Sequence, residues 1–145
     1  MAVSKVGNVT VHAVDPQRLA AFWAAALGYA ERRFEGELKQ QLLAGGLTEG
    51  ELAKRGLAED PAGAGPRLLF QHADRPKSPG ERNRMHLDVS ATPGRPPSRD
   101  ELDAEKDRLV ALGAEVVRLV DQRWGPFEER YYQLRDPEGN EFCLQ

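Results

Sequence analysis

The order in which hydrophobic periods follow one another constrains this chain most. A period of two gives way to a helical period and returns to two, and the same succession then occurs a second time. Val6 to Val14 alternates, with Val9 and Val11 set against Asn8, Thr10 and His12, which predicts a half-buried strand. Asp15-Pro16 supplies an N-cap followed by proline at the first helical position, where the missing N–H costs nothing. Leu19, Phe22, Trp23, Ala26 and Leu27 recur at helical spacing, and Gly28 stops the helix. A strand is expected over Tyr29 to Phe34 and another over Arg67 to His72. After the turn-rich Arg75 to Gly80 the pattern restarts with an alternating strand over Met85 to Ser90. Ser98 to Glu101 reads as a capping box for a helix lined by Leu102, Leu109 and Leu112 and closed by Gly113. Ala114 to Val120, Tyr131 to Leu134 and Glu141 to Leu144 are expected strands, and Asp136 to Asn140 turns the chain between the last two.

The chain is therefore a repeated β-α-β-β-β unit, a recurrence that decides the fold class as α+β. Module 1 covers about 4–75, a linker about 75–81, and module 2 about 82–145. The segment over about 37–64 stands out as a helical insertion and a candidate lid, since it is long for a connection in a compact domain. Within it, Thr48 to Glu51 reads as a capping box opening a brief helix through Leu57 that ends near Gly56. With 145 residues in all, the two modules are expected to make one domain.

Composition narrows the chemistry. Twenty basic and twenty-three acidic side chains leave a formal charge of −3, so no broad electropositive surface for nucleic acid or anionic membrane is expected. No apolar run approaches the ~18 residues that cross a bilayer, and a cytoplasmic setting is the expectation. A single cysteine, Cys143, excludes an intramolecular disulfide framework and a cysteine-based zinc site. A metal site must then draw on His12, His72 and His86 with carboxylates or amides.

Several segments match a known pattern in the right order. Asp15-Pro16 with Leu19 to Trp23 and Leu27-Gly28-Tyr29, Leu109 to Ala114, and Asp136 to Asn140 with Glu141-Phe142-Cys143 resemble the vicinal oxygen chelate superfamily. Pro66 to Gln71 and Asn83 to Asp88 resemble its glyoxalase-like subgroup. The superfamily also contains extradiol dioxygenases and bleomycin-resistance binding proteins. The resemblance implies two βαβββ modules whose curled mixed sheet forms an open cup with helices outside. It also implies one divalent metal on cup-facing strand positions, acting as a Lewis acid, and a homodimer is a further implication.

The family's ligand positions fall on Asn8, His86 and Cys143, and only His86 is an expected ligand type. Alternation gives a second set. Asn8, Thr10 and His12 share one face, His86, Asp88 and Ser90 another, and Glu141 and Cys143 a third. Val9, Val11, Met85, Leu87, Val89, Phe142 and Leu144 face the other way and are expected under helices. If the polar faces line the cup, His12, His86 and Glu141 form a shifted 2-His-1-carboxylate set suited to zinc, iron, manganese or nickel. The same side chains, with no metal, could simply hydrogen-bond one another and a ligand.

Trp124 and Phe127, in a loop, and Tyr131 are placed to wall a planar organic molecule. Asn8, Thr10, Asp88 and Cys143 complete the expected ligand-binding residues. Cys143 reads either as a small buried hydrophobe or as a weak thiolate ligand or nucleophile. Three functions stay open: a protein that binds a small organic molecule around a degenerate metal site; a metal-dependent lyase, isomerase or dioxygenase using His86, His12 and Glu141; and a metal-free enzyme in which His86 or His12 acts as general base.

Overall fold

The structure, a computed structural model, describes residues 2–145. The described residues form two compact units, one ending at Pro76 and the other spanning Lys77–Gln145. Each holds one four-stranded mixed sheet, and between them they carry four helices.

In the first unit the elements run β1 (Asn8–Ala13), α1 (Pro16–Leu27), β2 (Ala30–Glu31), α2 (Gly36–Ala44), α3 (Glu49–Ala53), β3 (Arg55–Glu59) and β4 (Arg67–His72). The sheet order is β1-β4-β3-β2, with β1 parallel to β4 and the remaining pairs antiparallel. Helix α1 starts as the sequence predicts: Asp15 accepts from the Arg18 N–H at 3.1 Å, Pro16 opens the helix, and Gly28 closes it at φ 67°. Its buried Leu19, Ala20, Phe22 and Trp23 pack onto β3 and β4, where Ala58, Leu68 and Phe70 are also buried. The packing is closest at Gly56, where a methyl group would lie 2.3 Å from the Pro16 carbonyl oxygen and 2.9 Å from Ala20 Cβ.

Two expectations for this unit change. The strand expected over Tyr29 to Phe34 is only Ala30–Glu31. The helix expected through Leu57 ends at Ala53, and Arg55–Glu59 is a strand. The Thr48–Glu51 capping box is present, but Arg55 to Ala58 find ladder partners in β4, and β2 pairs with Ala58 and Glu59. The 37–64 segment thus contains one of the module's own sheet strands as well as α3 and most of α2.

The second unit runs β5 (Leu87–Val89), α4 (Arg99–Leu112), β6 (Glu115–Trp124), β7 (Phe127–Arg135) and β8 (Glu141–Leu144), with sheet order β5-β8-β7-β6. The parallel pair β5–β8 and the antiparallel pairs that follow reproduce the connectivity of the first sheet. Helix α4 begins in a complete Ser98–Glu101 capping box, and Arg95 adds a two-pronged contact that holds the Glu101 carboxyl down at about 2. Leu102 and Leu109 are buried as expected, but Leu112 is 38% exposed and does not line the core.

One sheet face lies against α4. Tyr132 donates to Asp103 at 2.7 Å, Lys106 sits over the Tyr132 ring, and Arg130 pairs with Asp103 at 3.5 Å. The buried Leu134, Phe142 and Leu144 share that face by alternation and register. Met85, expected with them, is instead 88% exposed and lies outside β5. On its β5 side strand β8 pairs with Leu87, Asp88 and Val89, so the ladder stops short of Met85.

Candidate functional site on the second sheet

The face of the second sheet opposite α4 carries a polar row fixed by register. Asp88 on β5 stands opposite Cys143 on β8, Cys143 opposite Gln133 on β7, and Gln133 opposite Arg118 on β6. Residues directly opposite in a ladder point to the same side, so these four side chains form a band across all four strands. At one end the Arg118 Nε–H donates to Gln133 Oε1 at 2.9 Å. At the other the Cys143 sulfur stands beside the Asp88 carboxylate, and His86 Nε2 lies 3.2 Å from Asp88 Oδ1. The imidazole nitrogen, carboxylate oxygen and sulfur of His86, Asp88 and Cys143 all fall within 4.8 Å of one another.

Burial divides this trio. Cys143 is 7% exposed, whereas the His86 and Asp88 side chains are 46% and 52% exposed. Burial pushes the Cys143 thiol above its ordinary pKa, and the Asp88 carboxylate adds to the shift against the pull of Arg118. The thiol is therefore a proton-bearing group held under two solvent-facing partners.

Of the other residues singled out from the sequence, Glu141 shares the Cys143 face, but its carboxylate lies 3.9 Å from Arg82 Nε and accepts from the Asn83 N–H at 3.4 Å. Asn8, Thr10 and His12 are exposed residues on β1 in the first unit. Asn8 Oδ1 accepts from Arg67 Nε at 2.9 Å, and His12 is in register with Gln71. Trp124 and Phe127 are not in a free loop: they end β6 and begin β7 on either side of Gly125-Pro126. Their rings stack on each other at 6.4 Å, and they are 69% and 62% exposed.

Tyr131 shares the Gln133 face and lines a cleft of about 460 Å³ with Ser90, Thr92, Arg95, Arg130 and Gln145. Ser90 and Gln145 lie just past the ends of β5 and β8, two residues on from Asp88 and Cys143, and Tyr131 lies two residues before Gln133 on β7. The cleft also takes in Arg95 and Arg130, whose side chains pair with Glu101 and Asp103 of α4, so it lies at the end of the strands rather than over the trio.

Sequence reading missed Arg118 and Gln133. Strict alternation puts Val116 and Arg118 on one face, but a bulge between them shifts the register, so that Val116 faces Leu134 and Arg118 faces Gln133. For Gln133 the signal was present, because it alternates with Tyr131.

The closing turn explains one of the matched segments physically. Asp136 is 3% exposed, and its carboxylate accepts from the Glu138 and Asn140 backbone N–H groups at 2.9 and 3.0 Å. The Asn140 side-chain amide donates to both of its oxygens. This turn sets the start of β8 and hence the position of Cys143.

Comparison with known proteins agrees with this architecture. The family model described as "Glyoxalase-like domain" matches residues 8–145. No curated protein matches the sequence. Among solved structures, the chain is similar to a point mutant of the fosfomycin resistance protein FosX from Listeria monocytogenes, complexed with Mn(II) and 1S,2S-dihydroxypropylphosphonic acid. That match has a TM-score of 0.62 at 19% identity and covers 100% of this chain and 90% of the other. A glyoxalase/bleomycin resistance protein/dioxygenase family enzyme from Burkholderia phytofirmans PsJN matches with a TM-score of 0.61 at 12% identity, covering 97% of each chain. TioX from Micromonospora sp. ML1 matches with a TM-score of 0.52 at 17% identity, again over 97% of each chain. The repeated β-α-β-β-β connectivity and the near-complete family match place this chain in the glyoxalase-like domain family of the vicinal oxygen chelate superfamily.

Proposed function

We propose that this protein binds a small organic molecule on the polar face of its second sheet, around a family metal position whose donor set has changed. The observation that carries the reading is Cys143. The family's closing carboxylate falls on this residue, and a buried thiol beside Asp88 stands there instead. Hard cations such as manganese and magnesium take oxygen ligands and bind thiols poorly. Cys143, His86 and Asp88 therefore do not fit an ion of that class.

The remaining features suit recognition. Asp88 accepts hydrogen bonds, the Arg118 guanidinium donates them, and His86 does either according to its tautomer. The cleft of about 460 Å³ at the end of the same strands has the capacity of an ordinary small-molecule site, with Tyr131 as an apolar wall. FosX was solved with a small phosphonic acid, which is a property of that protein and supports only the size class.

A second reading has its own observation. His86 Nε2 at 3.2 Å from Asp88 Oδ1 is a carboxylate-oriented imidazole, the arrangement of a general base. Under that reading His86→Ala abolishes turnover of a bound compound. Under pure binding no turnover occurs with the native protein.

The binding proposal is tested by thermal shift against a panel of small carboxylic acids, phosphonates and aromatic amides. A ligand at one hundred times its Kd stabilises the fold by about 2.7 kcal/mol. For a chain of this size that is a rise of about 5–10 °C in Tm. His86→Ala and Tyr131→Ala are each expected to remove most of that rise while leaving the unliganded Tm within about 2 °C. A rise that survives both substitutions contradicts the placement of the site.

A further inference from the structure

We propose that the first unit holds a second binding site, a leucine-walled groove at the α2–α3 turn that takes a small amphiphilic carboxylate of the medium-chain fatty acid class. It shares no residue with the site on the second sheet and does not rest on that reading.

The local sequence builds the walls. Helix α2 ends in a Schellman turn: Gly46, at φ 103°, donates to the Leu43 carbonyl, and Leu47 donates to the Leu42 carbonyl at 3.2 Å. That turn brings Leu42 and Leu47 to the same end of the helix. Both line a groove of about 300 Å³, together with Phe34 and the buried Leu52 of α3. The volume lies at the lower end of the range for small-molecule sites, a size for a short hydrocarbon body.

Helix α2 leaves the groove open. None of its nine residues is buried, and Leu38 and Leu47 are each 39% exposed. A helix of that length is marginal without packing, and its apolar surface gains from an apolar occupant. The floor is firmer. The Leu52 carbonyl accepts from the Gln17 side chain of α1 at 3.3 Å, and the Lys54 carbonyl from the His72 N–H at 2.9 Å. Arg55 is in register with Gln71 on β4.

Charge selects the head group. Two cations line the groove, Lys54 at the C-cap of α3 and Arg55 at the start of β3. Among the described residues neither side chain has an ion pair or a hydrogen bond. The one acid of the lining, Glu51, has its carboxylate engaged by the Thr48 N–H and hydroxyl at 2.8 and 3.1 Å. Two cationic donors thus stand beside an apolar floor, the complement of a carboxylate on a hydrocarbon chain.

Sodium octanoate titrated into the full chain is expected to give a saturable single-site response in the backbone amide shifts of residues 34 and 42–55. Amides of α2 should exchange with deuterium more slowly at saturation, because the occupant supplies packing that the helix lacks. Octanamide has the same chain without the charge, and butanoate the same head on half the chain. Each should bind more than tenfold more weakly than octanoate. The double variant Lys54→Gln/Arg55→Gln, at two exposed positions, should raise the octanoate Kd more than tenfold and leave the weaker octanamide response unchanged. Leu47→Asn, also at an exposed position, should weaken both.

The proposal is overturned if octanoate at millimolar concentration leaves those amides unmoved, if octanamide binds the native chain as tightly, or if the double variant keeps the native Kd. A response confined to residues 86–90, 131–133 and 141–145 would assign octanoate to the second sheet and overturn it too, while leaving the reading of that sheet intact.

Discussion

Asp136 and Cys143 occupy the two ends of one short segment, and their physical roles differ. Asp136 is a buried carboxylate whose ionic form is held by backbone and Asn140 donors. Removing it strands those donors in a part-buried turn, at a cost of about 2–4 kcal/mol. Asp136→Ala is therefore expected to lower unfolding free energy by that amount in urea denaturation, with Asp136→Asn in between. A change below about 0.5 kcal/mol would show that the turn does not depend on the carboxylate. The turn was readable from Asp136 to Asn140, because its residue types carry their own local hydrogen-bonding preferences. The partnership of Cys143 with Asp88 was not. Alternation placed both on polar faces, but their adjacency comes from parallel pairing of β5 with β8, strands separated by α4 and the β6–β7 hairpin.

Among the elements, β3 shows where local signals mislead. Its sequence follows a capping box and contains Gly56, and both point to a helix and its end. The ladder to β4 makes it a strand, and Gly56 is required for another reason: α1 presses against its backbone. Gly56→Ala places a methyl group 2.3 Å from the Pro16 carbonyl oxygen, so α1 and β3 must part. The expected loss is about 1–3 kcal/mol, as for other overpacked core sites. Gly50→Ala is the matched control, since it lies inside α3 with only Thr48 Oγ1 near, at 3.9 Å. It should be neutral or slightly stabilising because alanine favours helix. Equal Tm values for the two variants would contradict the close α1–β3 contact. The bounds of α1 and α4 were legible, because caps and closing glycines mark both ends, although the buried stripe of α4 stops short of Leu112.

At the scale of the whole chain, the repeat was the most informative feature, and the two sheets share one strand order. Repetition of connectivity does not carry over to the chemistry of the strands. The first sheet sets Thr10, Leu69 and Leu57 in register, whereas the second sets Asp88, Cys143, Gln133 and Arg118. The β6 bulge places Arg118 in that band, and no periodicity in the sequence announces it. Among the described residues no helix is long and apolar enough to cross a membrane. The polar face of the second sheet is the proposed place where a small molecule binds. Backbone amide shift mapping with the best compound from the thermal-shift panel tests it most directly. The largest perturbations are expected on residues 86–90, 131–133 and 141–145. Perturbations confined to residues of the first unit, with those three segments unmoved, would contradict it.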